Sequence, residues 1–382
     1  MSLLYLDHAA TTPVRPEVLA AMMPLLTEAY GNPSSHHTVG EQAAGVLADA
    51  RARVARVLGM RAGDVVFTAG GTEANNLAIK GIALAARAAD PAKHQVITTP
   101  IEHESVLASC DYLRRLHGFE VTLLGVDATG RVDPQELAAA VGPQTAVVSV
   151  GYANNEVGTV QDATALAAAC AVHRVPLHLD AVQAAGWLPL AGTGAAALSL
   201  AGHKVGAPKG IGVLAIRGRV PLEPLVHGGG QERGRRSGTE NVAGAVGLAL
   251  ALALAEEERA EAATRVAAMR EAFVDAVLAA VPAARLTGHP VERLPGTASF
   301  TFAGTSGEAV LLQLERHGVV TSSGSACAAG SDEPSHVLVA MGVPADVART
   351  AVRFTFGHGV TVDPRALAAA VAAAVAAVRS GT

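Results

Sequence analysis

Aromatic residues are scarce in this 382-residue chain, at 3%, although half of it is hydrophobic, so its core has to be built mainly from Ala, Val and Leu. Cysteine is scarcer still. Cys110, Cys170 and Cys327 are the three, and none stands in a Cys-x-x-Cys pair; this excludes a disulfide framework, gives no metal motif and suits a reducing compartment. Positive charge is not in excess: a net charge of -5 and a pI near 6.3 argue against nucleic acid as the main partner, because phosphate binding needs a basic surface. The cluster Arg233, Arg235 and Arg236 therefore reads as a local anion site or a solvated loop. The apolar run Val242 to Ala255 is shorter than the roughly 20 residues of a membrane span and is interrupted by glycines, so a buried helix is expected and no membrane partner. No basic stretch followed by an apolar run and a small-residue cleavage site opens the chain, and the expectation is a cytoplasmic protein without a signal peptide.

What is present is alternation. Short β-rich runs at 65–67, 95–97, 121–124, 146–150, 177–179, 197–200 and 213–216 are separated by helical stretches, the pattern of a mostly parallel sheet with helices on both faces. The last two runs are joined by a loop too short for a crossover helix, which makes the final strand antiparallel. Charges and apolar residues between Leu252 and Ala280 follow helical spacing and predict a long helix leading out of this unit. Beyond it, 298–302, 319–321 and 351–356 read as strands among helices, a smaller α+β unit closed by an Ala-rich helix from Arg365 to Val378. A chain of this length exceeds what one core usually holds, so two domains are expected.

Chemistry concentrates where the strands end. Lys204, in Leu200-Ala201-Gly202-His203-Lys204-Val205, sits among small and apolar residues where an ammonium has to reach water or give up its proton, and a neutral amine attacks carbonyl carbons. Asp180 ends the run 175–179 on what should be the neighbouring parallel strand, so both groups reach the carboxyl edge, where open α/β sheets bind ligands. A lysine and a carboxylate so placed suit pyridoxal phosphate, whose pyridine nitrogen needs an acidic partner. Gly70-Gly71-Thr72-Glu73 opens a helix and offers backbone N–H groups and a hydroxyl to a phosphate, or simply Thr72 as a helix cap. Cys327 lies in a run of small residues that gives a core little to pack, which predicts an exposed and reactive thiol, whereas Cys110 and Cys170 stand in apolar helical contexts. Arg353 on an apolar strand calls for a bidentate carboxylate, from a substrate or from a structural salt bridge.

Taken together, Tyr5-Leu6-Asp7-His8-Ala9-Ala10-Thr11-Thr12, Thr68-Ala69-Gly70-Gly71-Thr72-Glu73, Glu102-His103, Asn154-Asn155-Glu156, Asp180-Ala181-Val182-Gln183, Gly202-His203-Lys204, Arg236-Ser237-Gly238-Thr239 and Ser325-Ala326-Cys327 occur in the order of a known family. The chain resembles the cysteine desulfurases of the NifS/IscS type, within the class V aminotransferase group. That resemblance implies fold type I of the pyridoxal-phosphate enzymes: an α/β architecture with a large, mostly parallel seven-stranded sheet domain at 14–256, and a smaller α+β domain formed by 257–382 with the arm 1–13.

It also implies roles for particular residues. Lys204 would carry the cofactor, Asp180 would face its ring nitrogen, and His103 would stack on the ring and pass protons. Gly71, Thr72 and His203 would hold the phosphate, with Thr239 reaching across from the other subunit of a homodimer; Asn155 and Gln183 would sit near the 3'-oxygen. Ala201 stands where the family often has a phosphate-binding serine, which removes one hydroxyl contact. Arg353 would take the substrate α-carboxylate, and Asn32 would border the substrate unless Asn32-Pro33 is an ordinary turn. The activity implied is conversion of L-cysteine to L-alanine with the sulfur left as a persulfide on Cys327, for transfer to an acceptor such as an iron–sulfur scaffold or a tRNA-modifying enzyme. The longer cysteine loop resembles that of the group I desulfurases. A selenocysteine lyase, an aminotransferase and a scaffold that has lost catalysis are the rival readings, and no metal is expected.

Overall fold

The computed structural model describes residues 3–323 and 333–381. The chain opens with a two-residue strand, β1 (Leu4–Tyr5), and two helices, α1 (Pro16–Thr27) and α2 (Thr38–Leu58). Then come β2 (Val65–Thr68), α3 (Gly71–Ala89), β3 (Gln95–Thr98), α4 (Glu104–His117), β4 (Glu120–Leu123), α5 (Pro134–Ala140), β5 (Thr145–Gly151), α6 (Ala163–Ala171), β6 (Leu177–Asp180), β7 (Ala197–Ala201) and β8 (Gly212–Ile216). The 39-residue α7 (Val242–Ala280) leads to β9 (Ala284–Leu286), β10 (Thr297–Phe302), α8 (Gly307–Arg316) and β11 (Val319–Val320). The order closes with α9 (His336–Ala340), α10 (Ala345–Ala348), β12 (Ala351–Thr355) and α11 (Pro364–Ser380).

All seven expected strands of the first unit are present and form one sheet in the order β2-β8-β7-β6-β5-β3-β4. Its strands run parallel except β8, which is antiparallel to both β2 and β7, as the short connection requires. β2, β5, β6, β7 and β8 are buried almost throughout because apolar helices cover both faces, the arrangement that lets parallel strands read as continuous hydrophobic runs. One core lies toward α2, α6 and α7 and the other toward α3 and α4. The strand order changes direction between β5 and β3, which leaves a crevice at their carboxyl ends.

The second sheet, β12-β10-β9, is antiparallel and packs with α7, α8 and α11 around its own core. Here the structure departs from the sequence reading in four places. The run 242–255 and the stretch 252–280 are one continuous helix, because no proline or capping residue separates them; Gly247 admits α1, since a Cβ there would lie 2.5 Å from Met22 Sδ. The 319–321 run shortens to two residues that pair in parallel with β1 instead of joining β10 and β12. Strands β1 and β9 carry no sequence signal, because two or three residues have no periodicity. Finally, Thr72 is not a cap: Gly70 holds that position, and Thr72 is the second residue of α3. Among the described residues no helix is long and apolar enough to cross a membrane.

Candidate active site

A cavity of about 840 Å3 occupies the crevice, lined from β6 by Asp180, from the turn after β7 by Lys204, from the start of α3 by Gly71 and Thr72, and from the start of α4 by His103. These groups come from four separated segments, and the sheet's parallel register brings them together: Asp180 stands opposite Gly151 of β5 and Ser199 of β7. Asn155, Gln183, His203 and Arg353 line the same cavity. A neighbouring cavity of about 510 Å3 shares Lys204 and Gln183 but contains neither Asp180 nor His103.

Each group has a defined partner. Lys204 Nζ donates to the carbonyls of Ala9 and Ala10, the latter at 2.8 Å, so the N-terminal arm closes one wall of the cavity. Gln183 Nε2 reaches the Ala9 carbonyl at 3.1 Å. Asp180 is 9% exposed and accepts from Asn75 Nδ2 at 2.7 Å and from the Val182 N–H at 3.0 Å. His103 caps α4, its Nδ1 accepting from the Ser105 N–H at 3.1 Å. His203 contacts Thr11 Oγ1 through Nδ1 at 3.2 Å; burial, then the cations of Lys204 and Lys209, push its pKa down to about 4, so the ring is neutral at physiological pH. Arg353 is 1% exposed on β12 and is held by Asp7 Oδ1 at 2.7 Å and the Asn155 carbonyl at 2.8 Å.

Two expected residues lie apart. Asn32 is exposed, does not line the cavity and makes an Asx turn with the Ser34 N–H at 2.9 Å, the ordinary role of Asn before Pro. Thr239 is exposed and likewise outside the cavity. Cys327 lies outside the described residues. The arginine cluster serves the protein itself: Arg233 donates to the Val65 carbonyl, Arg235 to that of Gly63, and Arg236 pairs with Glu73 at 2.8 Å. Cys110 and Cys170 are buried, and burial pushes both thiols up to about 12, which leaves them unreactive.

Three buried polar residues in and beneath the site have no role in the sequence reading, although Glu102 stands in the Glu102-His103 motif. Asn75 is the Asp180 partner just described. Glu102 lines the cavity and accepts from Thr99 Oγ1 at 2.7 Å; burial first of all, with Asp180 nearby, raises its pKa to about 8, so at neutral pH it holds a proton. His178, two residues before Asp180 on β6, is clamped between Ser149 Oγ at 2.9 Å and Ser199 Oγ at 2.8 Å, and burial lowers its pKa to about 3. For Asn75 and His178 the available signal was a polar residue inside an otherwise apolar helix face or strand; Glu102 lies in the turn between β3 and α4.

The family model for class V aminotransferases matches residues 4–363. The chain belongs to this family. A cysteine desulfurase of Cereibacter sphaeroides is 45% identical over 366 residues, 94% of this chain and 92% of the relative. An IscS-like cysteine desulfurase of Mycobacterium tuberculosis is 45% identical over 360 residues, 93% of this chain and 91% of the relative. A solved NifS-like protein superposes with a TM-score of 0.90 at 35% identity, covering 98% of this chain and 99% of that one. At this similarity over nearly the whole length, the class V chain is an enzyme of the cysteine desulfurase group.

Class V enzymes use pyridoxal phosphate, and the residues of this class V cavity fit it. The first turn of α3 presents its N-terminus beside Gly71, where a Cβ would lie 2.8 Å from Val182 Cγ2 and 3.3 Å from Ala201 Cβ, so only glycine lets this backbone line the cavity so closely. Asp180 supplies the carboxylate and Lys204 the amine, both facing the same space. Among the described residues no His, Cys, Asp and Glu group could hold a metal ion.

Proposed function

We propose that this enzyme removes sulfur from L-cysteine, releasing L-alanine and leaving the sulfur as a persulfide on Cys327. The observation that carries the reading is the meeting of Lys204, Asp180, His103 and Arg353 in one cavity. Pyridoxal phosphate, when bound, supplies a carbonyl carbon for the amine and a ring that takes up the electron pair of the substrate α-carbon. Gly71, Thr72 and His203 would hold its phosphate, with Thr239 of the partner subunit, and Asn155 and Gln183 would serve its 3'-oxygen. Asp180 would partner its ring nitrogen and His103 would serve its ring. Lys204 moves the proton at the substrate α-carbon, while the Arg353 fork takes the α-carboxylate. The Cys327 thiolate attacks the substrate sulfur; the S–S bond forms as the Cβ–S bond breaks, and a proton completes the methyl group of alanine.

Reach supports the role of Cys327. Ser322, five residues before it, pairs with the backbone of Arg353, and Glu333, six residues after it, lines the cavity, so the tether to Glu333 spans at most about 20 Å. A homodimer is supported by the exposed apolar side chains Leu19, Met23 and Leu26 along α1, with Tyr30 just beyond. We also read 14–256 as the large domain and 1–13 with 257–382 as the small one; residues 245–255 of α7 join the large-sheet core and residues 266–277 the small-sheet core. A cytoplasmic location and delivery to a sulfur acceptor such as an iron–sulfur scaffold complete the proposal.

The test is a comparison of the parent with Cys327→Ser. The variant should bind cofactor and respond to cysteine in its visible spectrum, yet release almost no sulfide in the presence of a thiol reductant. Parental sulfide release would overturn the persulfide and favour a lyase; amino transfer from an amino acid to pyruvate, giving alanine with no sulfide, would favour an aminotransferase.

A further inference from the structure

The two groups placed at the ring nitrogen and the ring face are wired to each other. Asn75, the fifth residue of α3 and 1% exposed, donates through Nδ2 to Asp180 Oδ2 at 2.7 Å and to Ser105 Oγ at 2.9 Å. Ser105 in turn meets His103 Nδ1 twice, by its Oγ at 2.8 Å and its backbone N–H at 3.1 Å. The proton directions follow from the donor inventory. The Asp180 carboxylate accepts only, so the Asn75 amide must turn its NH2 toward it, and its two N–H groups are then both spent. Ser105 Oγ accepts one of them and keeps its own hydrogen for Nδ1. That nitrogen faces two donors and stays unprotonated, which puts the ring proton on Nε2.

We propose that Asn75 is a positioning residue that joins Asp180 and His103 into one hydrogen-bonded unit, holding His103 as the Nε2–H tautomer. The inference rests on the function proposed above, in which these two groups flank the cofactor. Its consequence is that the edge and the face of the bound ring are set by a single amide. Asn75 comes from the helix whose N-terminus cradles the phosphate, so phosphate, ring nitrogen and stacked imidazole share one rigid support.

Selective 15N-histidine labelling of the cofactor-free protein tests the link, with His103→Gln identifying the signal. The parent should show His103 with an unprotonated Nδ1; a proton on Nδ1 overturns the proposal. In Asn75→Leu and in Ser105→Ala that resonance should shift. With cofactor bound, Asn75→Leu should lower kcat about 10- to 100-fold with KM little changed, and Ser105→Ala less, since Asp180 keeps its amide. Because the contacts lie in series, the double variant should be no worse than Asn75→Leu alone; additive losses would show two independent contacts and overturn the unit. Should Asn75→Leu fail to fold, an unchanged His103 signal in Ser105→Ala still overturns it. Failure of the parent to bind cofactor would instead refute the functional reading, and the free-protein signals would still decide the link.

Discussion

The two sheets bury different things. The large one, packed with Ala, Val and Leu, keeps a column of polar groups at its carboxyl edge: Asp180, Asn75, Glu102, His178 and the serines that hold them. The small one has an aromatic core. Five of the seven phenylalanines lie in its core, where Phe273 meets Phe300, Phe354 and Phe356 edge-on at centroid distances of 5.9, 5.1 and 5.7 Å. An aromatic cluster gains stability by area and ring geometry, whereas every buried polar atom must find a partner merely to break even. The large sheet therefore gives up some stability to place charges, and the small sheet, which also carries Arg353, supplies rigidity beside it.

That division can be tested at both ends. The largest effect is expected at Lys204: Lys204→Ala should lower kcat by at least about a thousandfold with little change in the urea midpoint. Borohydride trapping in the parent should label Lys204; label on Lys80, Lys93 or Lys209 would refute the assignment. Phe300→Ala should do the reverse, costing about 3–5 kcal/mol of unfolding free energy while the folded fraction keeps most of its turnover. Destabilisation under 1 kcal/mol there would mean that the small core can collapse, and the contrast would weaken.

The smallest effect sharpens the comparison through pH. Glu102 has a folded pKa of about 8 against an ordinary value of 4.5, so between these values the folded state holds a proton that the unfolded state has released, and stability falls as pH rises across that window. Glu102→Gln should remove this dependence and stabilise the protein more at pH 8.5 than at pH 5. The measurement is urea unfolding at both values, and a variant equally or less stabilised at the higher pH would show that the carboxyl is not held neutral. His178 runs the other way: with a folded pKa near 3, its contribution is present above 6.5 and is lost as pH falls toward 3.

Periodicity and punctuation in the sequence were enough to determine the seven strands, their mostly parallel order and the reversal at β8, because each strand is a local apolar run and the loop between Ala201 and Gly212 is too short to cross the sheet. That Lys204, Asp180 and Gly71 would face one sheet edge was also legible, since each stands at a strand end or helix start, whereas His103 owed its place to the family resemblance. Tertiary structure alone decided β1 and β9, whose two or three residues acquire meaning only from a partner strand. It also showed that Asn32 and Thr239 lie outside the cavity of their own chain. Asn75 is the clearest case: in sequence it is one polar residue on a helix, and its two partners lie 30 and 105 residues away. A hydrogen bond is specified by where two atoms meet, and only the packing of α3 against β6 and α4 brings those atoms within 3 Å of one another.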